Sequence, residues 1–336
     1  MKLSLRMKKK RVLVTGGAGF IGSHLVDALA ENHKVVVVDD LSTGKEGNLE
    51  DAFKTGNVVL EQGDVRKRSK LDRLFKDIDV VFHLATQCLR ISISNPRLVH
   101  EVNVTGTLNV LSTARDTRVK KFVNVSSSEV YGNALYVPVD EQHPTNPTTV
   151  YGTSKLAGEL YSRAFCLTYG FPAVTIRPFN TYGPRSHFEG YSGEVIPKFV
   201  LRVLAGKPPV IFGSGEQTRD FTYVTDTVRG ILMAAESDFF LGKAVNIAYG
   251  QSVSIKSIAA KILKITKVDH LKPVSTKARP ADVLRQAADI RLASKKLGFR
   301  PAIDIDRGLK LYIEWFRSHF GTNLKRLIHT EMECNW

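Results

Sequence analysis

The chain predicts a doubly wound parallel α/β sheet joined to a smaller α/β lobe, and three observations carry that prediction. Short apolar strands alternate with helical segments through the first half. A glycine-rich turn links the first strand to the first helix, and the regular alternation loosens after Pro178 into Gly- and Pro-containing loops. Arg11-Val12-Leu13-Val14-Thr15 is a buried strand of aliphatic and β-branched residues, and Ser23 to Ala30 is the helix that follows it. Between them runs Gly16-Gly17-Ala18-Gly19-Phe20-Ile21-Gly22. Gly16 allows a tight turn, Gly19 lets backbone amides approach a pyrophosphate, and Gly22 lets the helix pack closely with its positive end toward the phosphates.

The next strand, Lys34 to Val38, ends in Asp39-Asp40. A carboxylate about 20 residues beyond such a turn accepts hydrogen bonds from an adenosine ribose and repels a 2′-phosphate, so the cofactor expected is NAD rather than NADP. Further strands are expected at 57–61, 79–83, 122–126 and 173–177. Their C-terminal ends supply small or polar residues to the ligand crevice of a Rossmann-type sheet: Asp64 and Val65 toward the adenine, Leu84, Ala85 and Thr86 along the cofactor, and Ser126, Ser127 and Ser128 toward the nicotinamide. Residues 9–178 and 221–247 are expected to form the dinucleotide-binding domain. Residues 179–220 and 248–320 then form the substrate lobe, and 321–336 a tail without a functional reading.

Tyr151-Gly152-Thr153-Ser154-Lys155 adds the chemistry. A tyrosine and a lysine four residues apart share one helix face, which places the ammonium where it can favour the ionised phenol. Such a phenol can take a proton from an alcohol while a hydride leaves the same carbon for a nicotinamide.

Composition limits the alternatives. The 336 residues suffice for a large core, and 43% are hydrophobic without an apolar stretch of membrane-spanning length. The basic N-terminus leads straight into the first strand and has no signal-peptide pattern. Three widely spaced cysteines suit a reducing cytoplasm, and no Cys/His spacing points to a metal. The formal net charge of +15 suits an anionic partner and equally suits a solubilising surface. Basic and aromatic residues are not interleaved as in single-strand binders, so nucleic acid is not the expected one.

The motifs together resemble the extended short-chain dehydrogenase/reductases, specifically the NAD-dependent nucleotide-sugar epimerases and dehydratases. The resemblance covers nearly the whole chain. It rests on Thr15 to Gly22, Asp39-Asp40, Gly63-Asp64-Val65, His83-Leu84-Ala85, Val125 to Gly132, Tyr151 to Lys155, Arg177 to Arg185 and Gly213 to Asp226. It implies that Tyr151 is the base, that Lys155 orients the ribose and lowers the tyrosine pKa, and that Ser127, four residues before Tyr131, hydrogen-bonds the reacting hydroxyl. Pro178 joins the cofactor site. Asn180, Arg219, Arg279 and Asp282 match positions that hold a nucleotide diphosphate and its ribose, and Arg185 and His187 follow a loop that faces the sugar. A homodimer is also implied.

Members of this family form a 4-keto sugar and then diverge. Glu129, within Ser127-Ser128-Glu129-Val130-Tyr131-Gly132, matches a glutamate of dehydratases and decarboxylases and points to a 4,6-dehydratase-type elimination with Glu129 as C5 base. Ser128 departs from the aspartic acid that many hexose dehydratases carry to protonate the leaving C6 hydroxyl. A 4-epimerase is the main alternative. A uronate decarboxylase and a non-catalytic regulatory or RNA-binding protein remain as further ones.

Overall fold

The structure is a computed structural model that describes residues 9–268, 270–279 and 282–332. The basic cluster at the extreme N-terminus, the central Pro280-Ala281 of the Arg279 motif and the end of the tail lie outside the described residues. Along the chain, β1 (Arg11–Thr15), α1 (Phe20–Ala30), β2 (Lys34–Asp39), α2 (Glu50–Lys54), β3 (Val58–Gln62), α3 (Arg68–Leu74) and β4 (Val80–His83) lead into the short α4 (Leu89–Ser94) and α5 (Pro96–His100). Then come α6 (Gly106–Asp116), β5 (Lys121–Val125), α7 (Val150–Tyr169) and β6 (Ala173–Pro178). The remaining elements are β7 (Thr181–Tyr182), α8 (Val195–Leu204), β8 (Val210–Phe212), β9 (Thr218–Asp220), β10 (Thr222–Tyr223), α9 (Val224–Glu236) and β11 (Ala244–Ile247). The chain continues with β12 (Ser252–Ser254), α10 (Ile255–Thr266), β13 (Val274–Thr276), α11 (Arg291–Leu297), α12 (Ile305–Phe320) and α13 (Leu324–Leu327).

The central sheet has seven strands in the order β11-β6-β5-β4-β1-β2-β3, and every pairing is parallel. The chain winds outward from β1 to β3, then restarts at β4 on the other side. This reversal opens a crevice beyond the C-terminal ends of β1 and β4. Helices cover both faces, which is why the strands are apolar almost without interruption. Val12 and Val14 of β1 join a core shared with α1, α9 and the helices α8, α10 and α12, while Leu13 turns to the opposite core under α3, α6 and α7.

Outside the central sheet, β7 pairs with β10, β8 with β13 and β9 with β12, making three two-stranded ribbons. These ribbons, with α8 and α10, face the strand ends across the crevice. Among the described residues no helix is long and apolar enough to cross a membrane.

Candidate active site

The crevice holds a cavity of about 420 Å³, lined from the glycine turn at one end to Arg219 and Arg279 at the other. Gly16 has φ +70°, and a Cβ there would meet Ala85 N at 2.6 Å, so the turn presses against the end of β4. A Cβ on Gly22 would stand 2.1 Å from Gly16 O. Helix α1 consequently begins directly on the turn. Its N-cap, Gly19, supplies no side-chain cap, so the first-turn amides are presented to the crevice. Gly16, Gly19, Phe20, Ile21 and Gly22 all line the cavity, as do Leu84, Ala85, Thr86, Ser126 and Pro178. A dinucleotide fits this cradle.

Asp39 and Asp40 also line it, but Asp39 has a second task. Its carboxylate accepts from Ala18 N and Leu41 N, both at 2.9 Å, and so braces the glycine turn. Burial holds its pKa above the ordinary value. Asp64 is held from outside the cavity. Its carboxylate is taken by Arg66 at 2.6 Å, and the cavity is lined by Gly63 and Val65 on either side of it.

Helix α7 brings the proton-transfer residues in. Thr149 caps it by accepting from Gly152 N at 3.0 Å. A Cβ on Gly152 would lie 2.6 Å from Glu129 O, so this glycine lets the first turn of α7 rest on the Ser127–Glu129 segment. Ser127, Ser128, Glu129, Tyr151 and Lys155 thereby come together on one wall. Burial pushes the Tyr151 phenol up, against the opposing influence of the neighbouring Ser127 hydroxyl.

Lys155 departs from the expected pairing with that phenol. Its Nζ donates to Val125 O at 2.6 Å, and burial lowers it to about 8. The shared helix face is real, but the long side chain bends toward the end of β5. The rise of the phenol pKa is opposed here by Ser127 and by the charge of Arg90.

Glu129 faces the far half of the cavity. Burial raises its pKa, against the opposing charges of Arg219 and Arg279. Gln286 Oε1 accepts from Asn180 Nδ2 at 2.8 Å, and Asn180 lines the same cavity. Arg219 donates to Asp282 Oδ1 and to Val283 O, both at 2.6 Å, and Arg279 lies over the Phe212 ring. Asn180, Arg219, Arg279 and Asp282 are thus brought together along this part of the cavity. Arg185 is not. It donates to Asp27 of α1 at 2.6 Å, and His24 of the same helix holds Pro184 O at 2.9 Å, so this loop docks on the sheet domain while His187 reaches the cavity.

The fold adds residues that no motif announces. Arg90 lines the cavity with its guanidinium fixed by Tyr191 O at 2.6 Å and Ser192 O at 2.7 Å. Cys88, Glu194, Lys198, Arg202 and Glu331 line it too. Burial pushes the Glu194 carboxyl up to about 7.

Residues 12–248 match the NAD dependent epimerase/dehydratase family. The chain is 38% identical over 314 residues to a putative UDP-glucose 4-epimerase of Methanocaldococcus jannaschii, covering 93% of this chain and all of the relative. It is 35% identical over 326 residues to the dTDP-D-glucose 4,6-dehydratase of Homo sapiens, covering 93% and 91%. The solved UDP-N-acetylglucosamine 4-epimerase from Methanobrevibacter ruminantium, in complex with UDP-N-acetylmuramic acid, superposes with a TM-score of 0.87 at 36% identity over 93% of this chain and all of that one. The glycine cradle, the tyrosine wall and these similarities over nearly the whole length make the chain an enzyme that belongs to the NAD dependent epimerase/dehydratase family.

Proposed function

We propose that the enzyme is a nucleotide-sugar 4,6-dehydratase that makes a 4-keto sugar and eliminates water across C5 and C6. The observation that carries this reading is the Glu129 carboxyl. It stands half-buried in the cavity wall, lies near enough to Tyr151 for its charge to act on the phenol, and has its pKa raised by desolvation. A carboxylate raised in this way is a stronger base than an exposed one, and a placed base contributes about 10²–10⁴-fold in rate.

Residues 9–178 and 221–247 would hold the cofactor, and 179–220 with 248–320 the nucleotide sugar. Gly16, Gly19, Phe20, Ile21 and Gly22 would take the pyrophosphate of NAD, Asp39 and Asp40 its adenosine ribose, Val65 the adenine, and Leu84 to Thr86, Ser126 and Pro178 the nicotinamide half. NAD, when bound, supplies reversible hydride transfer at C4. Tyr151 removes the proton of the sugar 4-hydroxyl, Ser127 hydrogen-bonds that oxygen, and Lys155 supports the neighbouring ribose. The 4-ketone acidifies C5–H. Glu129 takes that proton and passes it to the departing C6 hydroxyl, which leaves as water with Ser128 alongside. C6 then takes back the hydride removed from C4 and C5 takes a proton from solvent, so the sugar is lighter by one water. Asn180, Arg219, Arg279 and Asp282 hold the nucleotide diphosphate, a role for which a fixed arginine fork is suited.

A 4-epimerase is the second reading, and Ser128 favours it. A serine is a poor acid for the leaving hydroxyl, and in an epimerase Glu129 and Gln286 would simply shape the wall. Solvent-deuterium exchange separates the two. In D₂O, dehydration incorporates deuterium at C5 and Glu129→Gln abolishes it, whereas product formation without C5 label in the wild type contradicts the elimination.

A further inference from the structure

The C-terminal segment returns to the cavity. Beyond α13 the chain lies against the 187–194 loop, with Gly190 N donating to Thr330 O at 3.0 Å. Glu331 then enters the cavity wall. Its side chain is 4% exposed and stands 2.9 Å from Arg202 Nη1 and 3.1 Å from Lys198 Nζ. Lys198 Nζ also donates to Met332 O at 2.5 Å. Lys198 and Arg202 are one turn apart on α8 and line the same cavity.

These two cations belong to a larger basic group. The Lys198 ammonium and the Arg279 guanidinium lie 5.7 and 5.8 Å from the centre of the same Phe212 ring. Arg90 and Arg279 both act on Lys198 electrostatically, reinforcing the lowering of its pKa by burial. So many desolvated cations repel one another, and the Glu331 carboxylate relieves that repulsion. A diphosphate does the same with more charge and more acceptor oxygens.

We propose that Lys198 and Arg202 form an anion subsite for the diphosphate of the nucleotide sugar, and that the chain fills this subsite with its own Glu331. The inference rests on the nucleotide-sugar reading given above. A carboxylate and a diphosphate compete for the same donors, so substrate binding displaces the C-terminal segment. The two events are coupled, and coupling of this kind changes affinity by about 5–150-fold.

The test is calorimetric titration of UDP and of dTDP into the NAD-loaded full-length protein, its Glu331→Gln variant and a chain ending at Thr330. Both variants should bind the preferred nucleotide about tenfold more tightly with NAD affinity unchanged. The nucleotide should also speed tryptic cleavage after Lys325 and Arg326 in the wild type. The truncated chain retains α12 and α13, so it reports even if Glu331→Gln fails to fold. Unchanged or weaker nucleotide binding in the variants, with good binding by the wild type, overturns the subsite while leaving the nucleotide-sugar reading intact. Binding of neither nucleotide by any form overturns both.

Discussion

Replacing Glu159 by Leu tests whether a buried ion pair holds the catalytic wall. Glu159 on α7 and Arg177 on β6 are 6% and 8% exposed, with Arg177 Nε 3.0 Å from Oε1 and Nη2 2.7 Å from Oε2. Arg177 Nη1 also donates to the Tyr131 hydroxyl at 2.8 Å, and that hydroxyl donates to Asn246 Oδ1 at 2.7 Å. The guanidinium centre lies 4.8 Å from the centre of the Tyr131 ring. Tyr131 closes the short turn that carries Ser127 and Glu129, so the pair anchors the wall from behind. Removing one partner strands a charge in the interior, which costs about 3–5 kcal/mol. That is a large share of the roughly 5–15 kcal/mol by which domains are stable. Adding Arg177→Met should recover part of the loss, because an apolar pair leaves no stranded charge, and a coupling of about 2 kcal/mol is expected. Urea unfolding followed by circular dichroism measures both, with turnover recorded in parallel. A single-mutant cost below about 1 kcal/mol, or a double mutant as costly as the sum of the singles, would refute the anchoring role.

Four further outcomes follow from the same geometry. Gly22→Ala forces a Cβ against Gly16 O at 2.1 Å, and overpacking of about 1–3 kcal/mol should weaken NAD about 10- to 100-fold in a fluorescence titration. Tyr151→Phe should lower turnover about 10²–10⁴-fold while leaving NAD affinity nearly unchanged; normal turnover would remove it as the base. Burial raises the Glu194 pKa from 4.5 to about 7, so the folded state favours the neutral acid and stability falls as pH rises through that window. Glu194→Gln should therefore match the wild type at pH 4.5 and exceed it by about 3 kcal/mol at pH 8, at 1.36 kcal/mol per tenfold, as read by unfolding at each pH. Leu160 and Leu167 on α7 are 55% and 71% exposed, and light scattering should show Leu160→Glu/Leu167→Glu shifting the expected homodimer to monomer.

The central sheet is legible in the sequence because its inner strands are buried on both faces and read as largely aliphatic runs bounded by polar residues, while the edge strand β3 is only partly covered. The expected 57–61, 79–83 and 122–126 strands fall at Val58–Gln62, Val80–His83 and Lys121–Val125. The ribbons of the other side have two or three residues per strand, too few for any period to register. Among site residues, those whose backbone lines the crevice are readable, because a glycine turn and a helix start fix where amides go. Long side chains are not. Asp64, Lys155 and Arg185 stand at motif positions, yet Arg66, Val125 O and Asp27 claim their charged ends, and a motif does not specify such partners. Arg90, the α8 group of Glu194, Lys198 and Arg202, and Glu331 come from three segments far apart in the chain and share the cavity only after folding.

Mass spectrometry of the NAD-loaded protein incubated with UDP-, dTDP-, GDP- and CDP-sugars, N-acetylated and uronic forms included, tests the central claim most directly. The account predicts a product lighter by one water from a neutral hexose or N-acetylhexosamine nucleotide. A separable isomer of unchanged mass as the sole product would contradict the elimination and make the enzyme an epimerase.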